Sequence, residues 1–151
     1  MTRIIFILTA LTGMPAQSQD PLFGTWILNL AKSTADRDVR YKKVTTKIGP
    51  WEDGLKVMYD LVGVRGGVTH MKWIGKFDGK DYPVQGVDYV LTNAYSRVND
   101  RTYEIVNKID GVMSSTGRVT ISSNGKTLTT VTTGKNARGN TVTTTSVYER
   151  Q

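Results

Sequence analysis

Few residues in this chain could carry covalent or acid–base chemistry. There is one histidine, His70, and no cysteine. A lone imidazole cannot build a zinc site without thiolates or clustered carboxylates around it. A cysteine-free chain has no thiolate nucleophile, thiolate metal site or disulfide. The pattern Gly-x-Ser-x-Gly is missing, and no Ser/His/Asp arrangement is readable. Carboxylates such as Asp60 and Glu104 stand singly, with no pair set for acid–base work. Gly63-Val64-Arg65-Gly66-Gly67 is glycine-rich, but it joins two extended segments and opens no helix, so it reads as a hairpin turn rather than a phosphate cradle. The chain is therefore expected to be no enzyme and to need no cofactor or metal. Binding chemistry is what remains. Tyr59, Trp73, Tyr95, Arg97, Tyr103 and Tyr148 each join an apolar body to a polar tip, the combination that lines an amphipathic site.

The elements that must position these residues are strands. No window shows sustained 3.6-residue periodicity, whereas β-branched residues alternate with polar ones between turn signals about 8–12 residues apart. Strands are expected at Leu22–Leu30, Tyr41–Ile48, Leu55–Val64, Val68–Phe77, Tyr82–Gln85, Asp88–Val98, Arg101–Ile109, Val112–Ser122, Lys126–Thr133 and Asn140–Arg150. Between the first two, Ala31 to Arg40 is polar and reads as a loop or short helix. Asp53-Gly54, Gly66-Gly67, Asp78-Gly79, Asp110-Gly111 and Asn124-Gly125 supply hairpin turns. Pro83 restricts its short strand to an edge-like position. Sequential hairpins without long crossovers predict an all-β, antiparallel up-and-down meander of about nine or ten strands closing into a barrel.

Period-two parity gives each strand an inner and an outer face. Leu55, Val57, Tyr59 and Leu61 share one face, and Met71, Trp73 and Phe77 share another, opposite His70, Lys72 and Lys76. Tyr89, Leu91, Asn93, Tyr95 and Arg97 fall together, as do Tyr103, Ile105, Asn107 and Ile109, and then Met113, Val119 and Ile121. The inner sets mix aliphatic residues with Tyr, Asn and Arg. A solid core would need partners for each polar group, whereas a lumen holding water or a polar-headed ligand tolerates them. His70, on the outer face, reads as a solvated strand residue.

Residues 1–18 are expected to be a cleaved signal peptide, with basic Arg3, the apolar run Ile4–Leu11 and the small residues Ala16 and Ser18 before a cleavage site at Gln19 or Asp20. The run is shorter than the roughly 20 residues that span a bilayer, and no later segment is long and apolar enough to span. Residues 19–151 make one domain. A chain of about 130 residues buries about two-thirds of its unfolded surface and needs no covalent staples. An exported chain without disulfides suits a bacterial periplasm or secreted fraction. The net charge of +7 is dispersed as single residues and pairs such as Lys42-Lys43. That field draws anions weakly. With no basic–aromatic platform or groove-reading helix, it gives no support for nucleic acid. The chain is expected to be a monomer.

The two ends of the chain carry a family resemblance. Phe23-Gly24-Thr25-Trp26 resembles the Gly-x-Trp opening of the calycins, meaning lipocalins, fatty-acid-binding proteins and their bacterial relatives. Val147-Tyr148-Glu149-Arg150 is similar to the last strand of fatty-acid-binding proteins, where an Arg-x-Tyr pair holds a ligand carboxylate; Tyr148 matches the Tyr, and Ser146 stands where the Arg would be. The chain also resembles a group of small exported bacterial proteins in Gly24–Ser33, Asp78–Val84 and Asn124–Thr129. The resemblance implies a lipocalin-like barrel in which Gly24, Trp26 and Arg150 close one end, with Arg150 stacked on Trp26.

The resulting expectation is an exported, lipocalin-like protein that holds a small hydrophobic or anionic amphipathic ligand. Tyr59, Trp73, Tyr95, Arg97, Tyr103 and Tyr148 would supply lumen walls and polar anchors. The alternative is a non-enzymatic structural or interaction barrel of the cell envelope with no small-molecule ligand, motivated by the threonine-rich stretch from Thr127 to Thr145.

Overall fold

The computed structural model describes residues 19–34 and 41–151. The expected signal peptide, and residues 35–40 of the polar stretch, lie outside the described residues. Alternating β-branched residues extend the backbone, and a glycine or Asx residue reverses it at most turns. Ten strands result: β1 (Gly24–Leu28), β2 (Tyr41–Trp51), β3 (Gly54–Gly63), β4 (Val68–Gly75), β5 (Tyr82–Gln85), β6 (Leu91–Asn99), β7 (Thr102–Ile109), β8 (Val112–Ile121), β9 (Thr127–Lys135) and β10 (Thr141–Arg150). One 3-10 turn, Leu30–Lys32, follows β1, with the Asn29 side chain capping Lys32 N–H.

Every strand pairs antiparallel with its sequence neighbour, and β1 pairs with β10, so the sheet closes into a barrel without a free edge. The closed antiparallel meander is the expected architecture. β1 is shorter than Leu22–Leu30, because residues 20–23 turn under the barrel instead of joining the ladder. Antiparallel strands sort the connections into two ends. The β2–β3, β4–β5, β6–β7 and β8–β9 turns lie at one end with residues 19–23 and the C-terminus, here termed the base. The β3–β4, β5–β6, β7–β8 and β9–β10 connections lie at the other, the mouth.

Two local expectations change. At the β2–β3 turn the positive φ falls on Glu52 (50°) rather than on Gly54. Gly54 is needed for a different reason: a Cβ there would stand 2.1 Å from the Gly75 carbonyl oxygen. In β8 the register shifts between Asn107 and Lys108, so that Asn107 pairs with Ser115 while Lys108 pairs with Met113. Ser114 is the extra residue of this bulge, and one extra residue reverses the facing of everything beyond it. Met113, expected inside, is therefore 62% exposed. Tyr89 precedes β6 and Ile109 ends β7, and both are exposed at the mouth rather than facing the core.

The core sits towards the base. Trp26, Leu55, Val57, Trp73 and Tyr103 are fully buried there, joined by Leu22 and Ile121. Trp73 packs edge-on against Tyr82 and at a tilt on Tyr95, and its indole N–H is shared between the Tyr82 and Asn93 carbonyls.

Candidate functional site

The base is closed from below by the segment that precedes β1. Leu22 turns in, and the Trp26 indole N–H donates to its carbonyl at 2.9 Å. The Arg150 guanidinium lies 4.2 Å over the Trp26 ring and donates to the Phe23 and Pro21 carbonyls at 2.7 and 2.8 Å. Its Nε donates to Gly125 at 2.7 Å. Gly24 belongs to the same unit, since its φ of 151° favours glycine and a Cβ there would stand 2.2 Å from Arg150 Nη1. Asp20 completes the closure by accepting from the Tyr103 hydroxyl and from Arg97 Nη2. Arg97 in turn lies over the Phe77 and Tyr103 rings, at 4.7 and 5.2 Å.

Above this floor is a cavity of about 130 Å³. Leu22 and Trp26 form its bottom, and Ile48, Ile105, Val119 and Leu128 its apolar walls. Thr46, Thr130 and three tyrosines, Tyr59, Tyr95 and Tyr148, add hydroxyls. The Tyr59 and Tyr95 hydroxyls bond each other at 2.7 Å. Burial is the main cause pushing all three phenols above their ordinary range: Tyr148 to about 12, Tyr95 well above normal, and Tyr59 less, because hydrogen bonds with Tyr95 and Asn93 oppose the shift. At neutral pH the cavity therefore presents neutral hydroxyls that donate or accept, and no cation lines it.

A second cavity, of about 240 Å³, lies nearer the mouth and is lined by Ser115, Thr132, Thr144, Val142, Gly134 and Lys135, with Ser114 and Asn136 at its rim. Thr130 in the lower cavity and Thr132 in the upper are successive inward positions on β9, so the two spaces stack along one wall. Gly117 lies at the same level, paired with Thr132, and Gly134 pairs with Ser115. These small inward residues leave the space open. Asn93, Asn107 and Ser115 satisfy one another there, through bonds of 2.6 and 2.9 Å.

Of the six residues expected to line the lumen, the structure brings Tyr59, Tyr95 and Tyr148 together on the lower cavity. It places the other three elsewhere. Trp73 is a fully buried packing residue, Tyr103 is tied to Asp20, and Arg97 is engaged at the base rim by that same carboxylate. Parity had put Arg97 on the inner face correctly, but a contact 77 residues away in sequence claims its charge. Thr130, Thr132, Ser115, Gly117 and Lys135 were not singled out from the sequence. The signal for the first four was small residues at inward parity, Ser115 and Gly117 sharing the parity of Val119 and Ile121 on β8 and Thr130 and Thr132 alternating on β9; Lys135 has the opposite parity and reaches the cavity only at its open end. His70 is exposed as expected, and it meets Asp60 at 2.5 Å on the outer wall. No group of three metal-ligating side chains occurs among the described residues.

With ten antiparallel strands closed around a partly filled lumen, the architecture can be compared with known barrels. It matches the crystal structure of zebrafish ileal bile acid-binding protein complexed with cholic acid, with a TM-score of 0.55 and 14% sequence identity, over 87% of this chain and 99% of that one. The fold is a calycin barrel. No family model matches the chain, and no curated protein matches it in sequence. Within this calycin barrel, Ser146 occupies the inward position beside Tyr148 and Thr144, so the last strand contributes hydroxyls to the lumen.

Proposed function

We propose that this calycin barrel binds a small amphipathic molecule, apolar end down. The observation that carries the reading is the pair of stacked cavities: an apolar one above Trp26 and a hydroxyl-lined one ending at Lys135. A cavity near 130 Å³ accommodates an apolar group about the size of benzene. Either cavity alone is below the roughly 300 Å³ at which ligand pockets begin, so the ligand spans both. A charged head is disfavoured among the three buried phenols, where no cation offsets its desolvation. It belongs at the mouth, beside Lys135. The zebrafish protein is a bile acid binder by its own description, which is consistent with an apolar ligand in the lumen here without naming it. Among the described residues no group of three metal-ligating side chains supports a metal-dependent catalyst. In this reading the chain is exported, cleaved before Gln19 or Asp20, and acts as a monomeric carrier in a bacterial periplasm or secreted fraction.

The small lower cavity also favours a second reading, in which the packed barrel acts only through its surface. Titration calorimetry with decanoate separates the two. Lumen binding gives one site per chain with a negative heat-capacity change. Gly117→Val supplies the control. A Cβ at Gly117 makes only ordinary contacts, the nearest being Thr132 Oγ1 at 3.5 Å, and the added methyls enter the space between the two cavities. We expect the variant to keep its thermal stability and to weaken decanoate binding at least about tenfold, the cost of one misplaced side chain in a packed site. Unchanged binding in the variant would place the ligand outside the lumen. No heat with decanoate or decanol would leave the surface reading.

A further inference from the structure

The mouth and the base differ in what they expose. Among the described residues, most of the large apolar side chains that stand in solvent belong to the mouth. Val112 and Met113, at the start of β8, are 70% and 62% exposed, and Tyr89, Val90 and Ile109 lie beside them. The Asp110 N–H donates to the Val90 carbonyl at 2.9 Å, which joins the β5–β6 and β7–β8 tips into one patch. An open groove lined by Leu61, Met71, Val87 and Tyr89 continues it towards the β3–β4 tip, where Val64 and Val68 are exposed. Exposed apolar residues elsewhere are fewer: Trp51, covered by Lys56 at 4.0 Å, and Val98 at the base, Leu30 in the 3-10 turn, and Met58 and Val131 on the outer wall. Scattered apolar residues are ordinary on a protein surface, but a contiguous rim of them marks a contact site.

Charge selects the partner. Lys42, Lys43, Arg65, Lys135 and Arg138 are exposed around the mouth, against Asp88 and Asp110 as exposed acids. None of these five cations is ion-paired to another described residue. Apolar tips ringed by cations match an interface whose surface is anionic and whose interior is hydrocarbon. A second copy of the chain would instead oppose like charges, which costs association. We infer that the mouth docks on an anionic phospholipid surface, with Val112, Met113, Tyr89 and Val90 entering the headgroup–acyl boundary and the lysines resting on the phosphates. No helix among the described residues is long and apolar enough to cross a membrane, and none is needed for such a contact. The inference stands on surface residues and does not depend on what the lumen holds.

The test uses residues 19–151, which contain all ten strands and the closing base segment, so that the apolar Ile4–Leu11 run cannot itself enter a bilayer. Flotation with phosphatidylcholine vesicles is compared with and without phosphatidylglycerol. Binding is expected only with the anionic lipid. It should weaken about fivefold for each cation removed in K42Q/K43Q, and be lost in V112D/M113D with thermal unfolding unchanged. Because the chain has no cysteine, a polarity-sensitive dye at V112C reports insertion and the same dye at Glu52→Cys, in the base turn, reports orientation. A blue shift is expected at the first site and none at the second. Equal binding to both vesicle types, no binding at low salt, or a shift at Glu52→Cys would overturn the inference. So would a dimer by sedimentation equilibrium that V112D/M113D disperses, since the rim would then be the face for a second copy.

Discussion

Gly24 and Arg150 should behave as one unit under mutation. Gly24 has a φ of 151°, and a Cβ there would meet Arg150 Nη1 at 2.2 Å. An alanine faces two separate costs. The first is backbone strain, about 1–3 kcal/mol for a residue forced into a glycine-favoured region. The second is displacement of the guanidinium, which is bonded to the Phe23, Pro21 and Gly125 carbonyls and stacked on Trp26. The guanidinium end is flexible, but any move that relieves the clash breaks those bonds. A cation–π contact on a buried indole contributes about 1 kcal/mol, and charge-assisted hydrogen bonds contribute more than neutral ones. Arg150 is exposed, so water takes over part of the loss, and its removal should cost about 2–4 kcal/mol in all. Gly24→Ala should then cost about 3–7 kcal/mol in the native background but only the strain of about 1–3 kcal/mol in Arg150→Ala. The assay is a double-mutant cycle by urea denaturation. Residues in direct contact couple by about 0.5–3 kcal/mol, and the upper half of that range is expected here. Additivity within about 0.5 kcal/mol would refute the account, leaving Gly24 as a backbone requirement alone.

Two further outcomes follow from the buried phenols and the base. Tyr59, Tyr95 and Tyr148 are held neutral by burial, so the stability they confer is complete below pH 10, the ordinary phenol value, and is lost as the pH rises through their raised values. Tyr148, shifted from 10.0 to about 12, accounts for about 3 kcal/mol of that loss; denaturation midpoints at pH 9 to 12 check it, and a flat profile would contradict it. Asp20→Ala removes the acceptor of both Tyr103 and Arg97, and should destabilise the barrel by about 1–3 kcal/mol, with Asp20→Asn recovering part; equal stability of all three proteins in thermal melts would show that residues 19–23 do not close the base.

Local patterning encodes the barrel's strands and turns. Period-two alternation and Gly or Asx turns are short-range properties, so ten strands and most of their turns were legible, down to the hairpin at Asn124-Gly125. The Gly-x-Trp opening was legible for the same reason, since Gly24 and Trp26 are two residues apart. The inner faces were legible wherever the period ran unbroken, as at Tyr59 and Tyr95, while Tyr148 was marked by the resemblance of the last strand. Other features arise only from long-range packing. The bulge at Ser114 lies where β8 runs beside β7 alone, beyond its last pair with β9, and it turns Met113 outward. Arg97 shares the inner parity of Tyr95, yet Asp20 draws it to the base. The volume of the lumen depends on how residues of β2, β3 and β6 meet those of β8, β9 and β10 across the barrel. No local pattern encodes that, because facing is set by neighbouring residues whereas empty space is set by strands far apart in the chain.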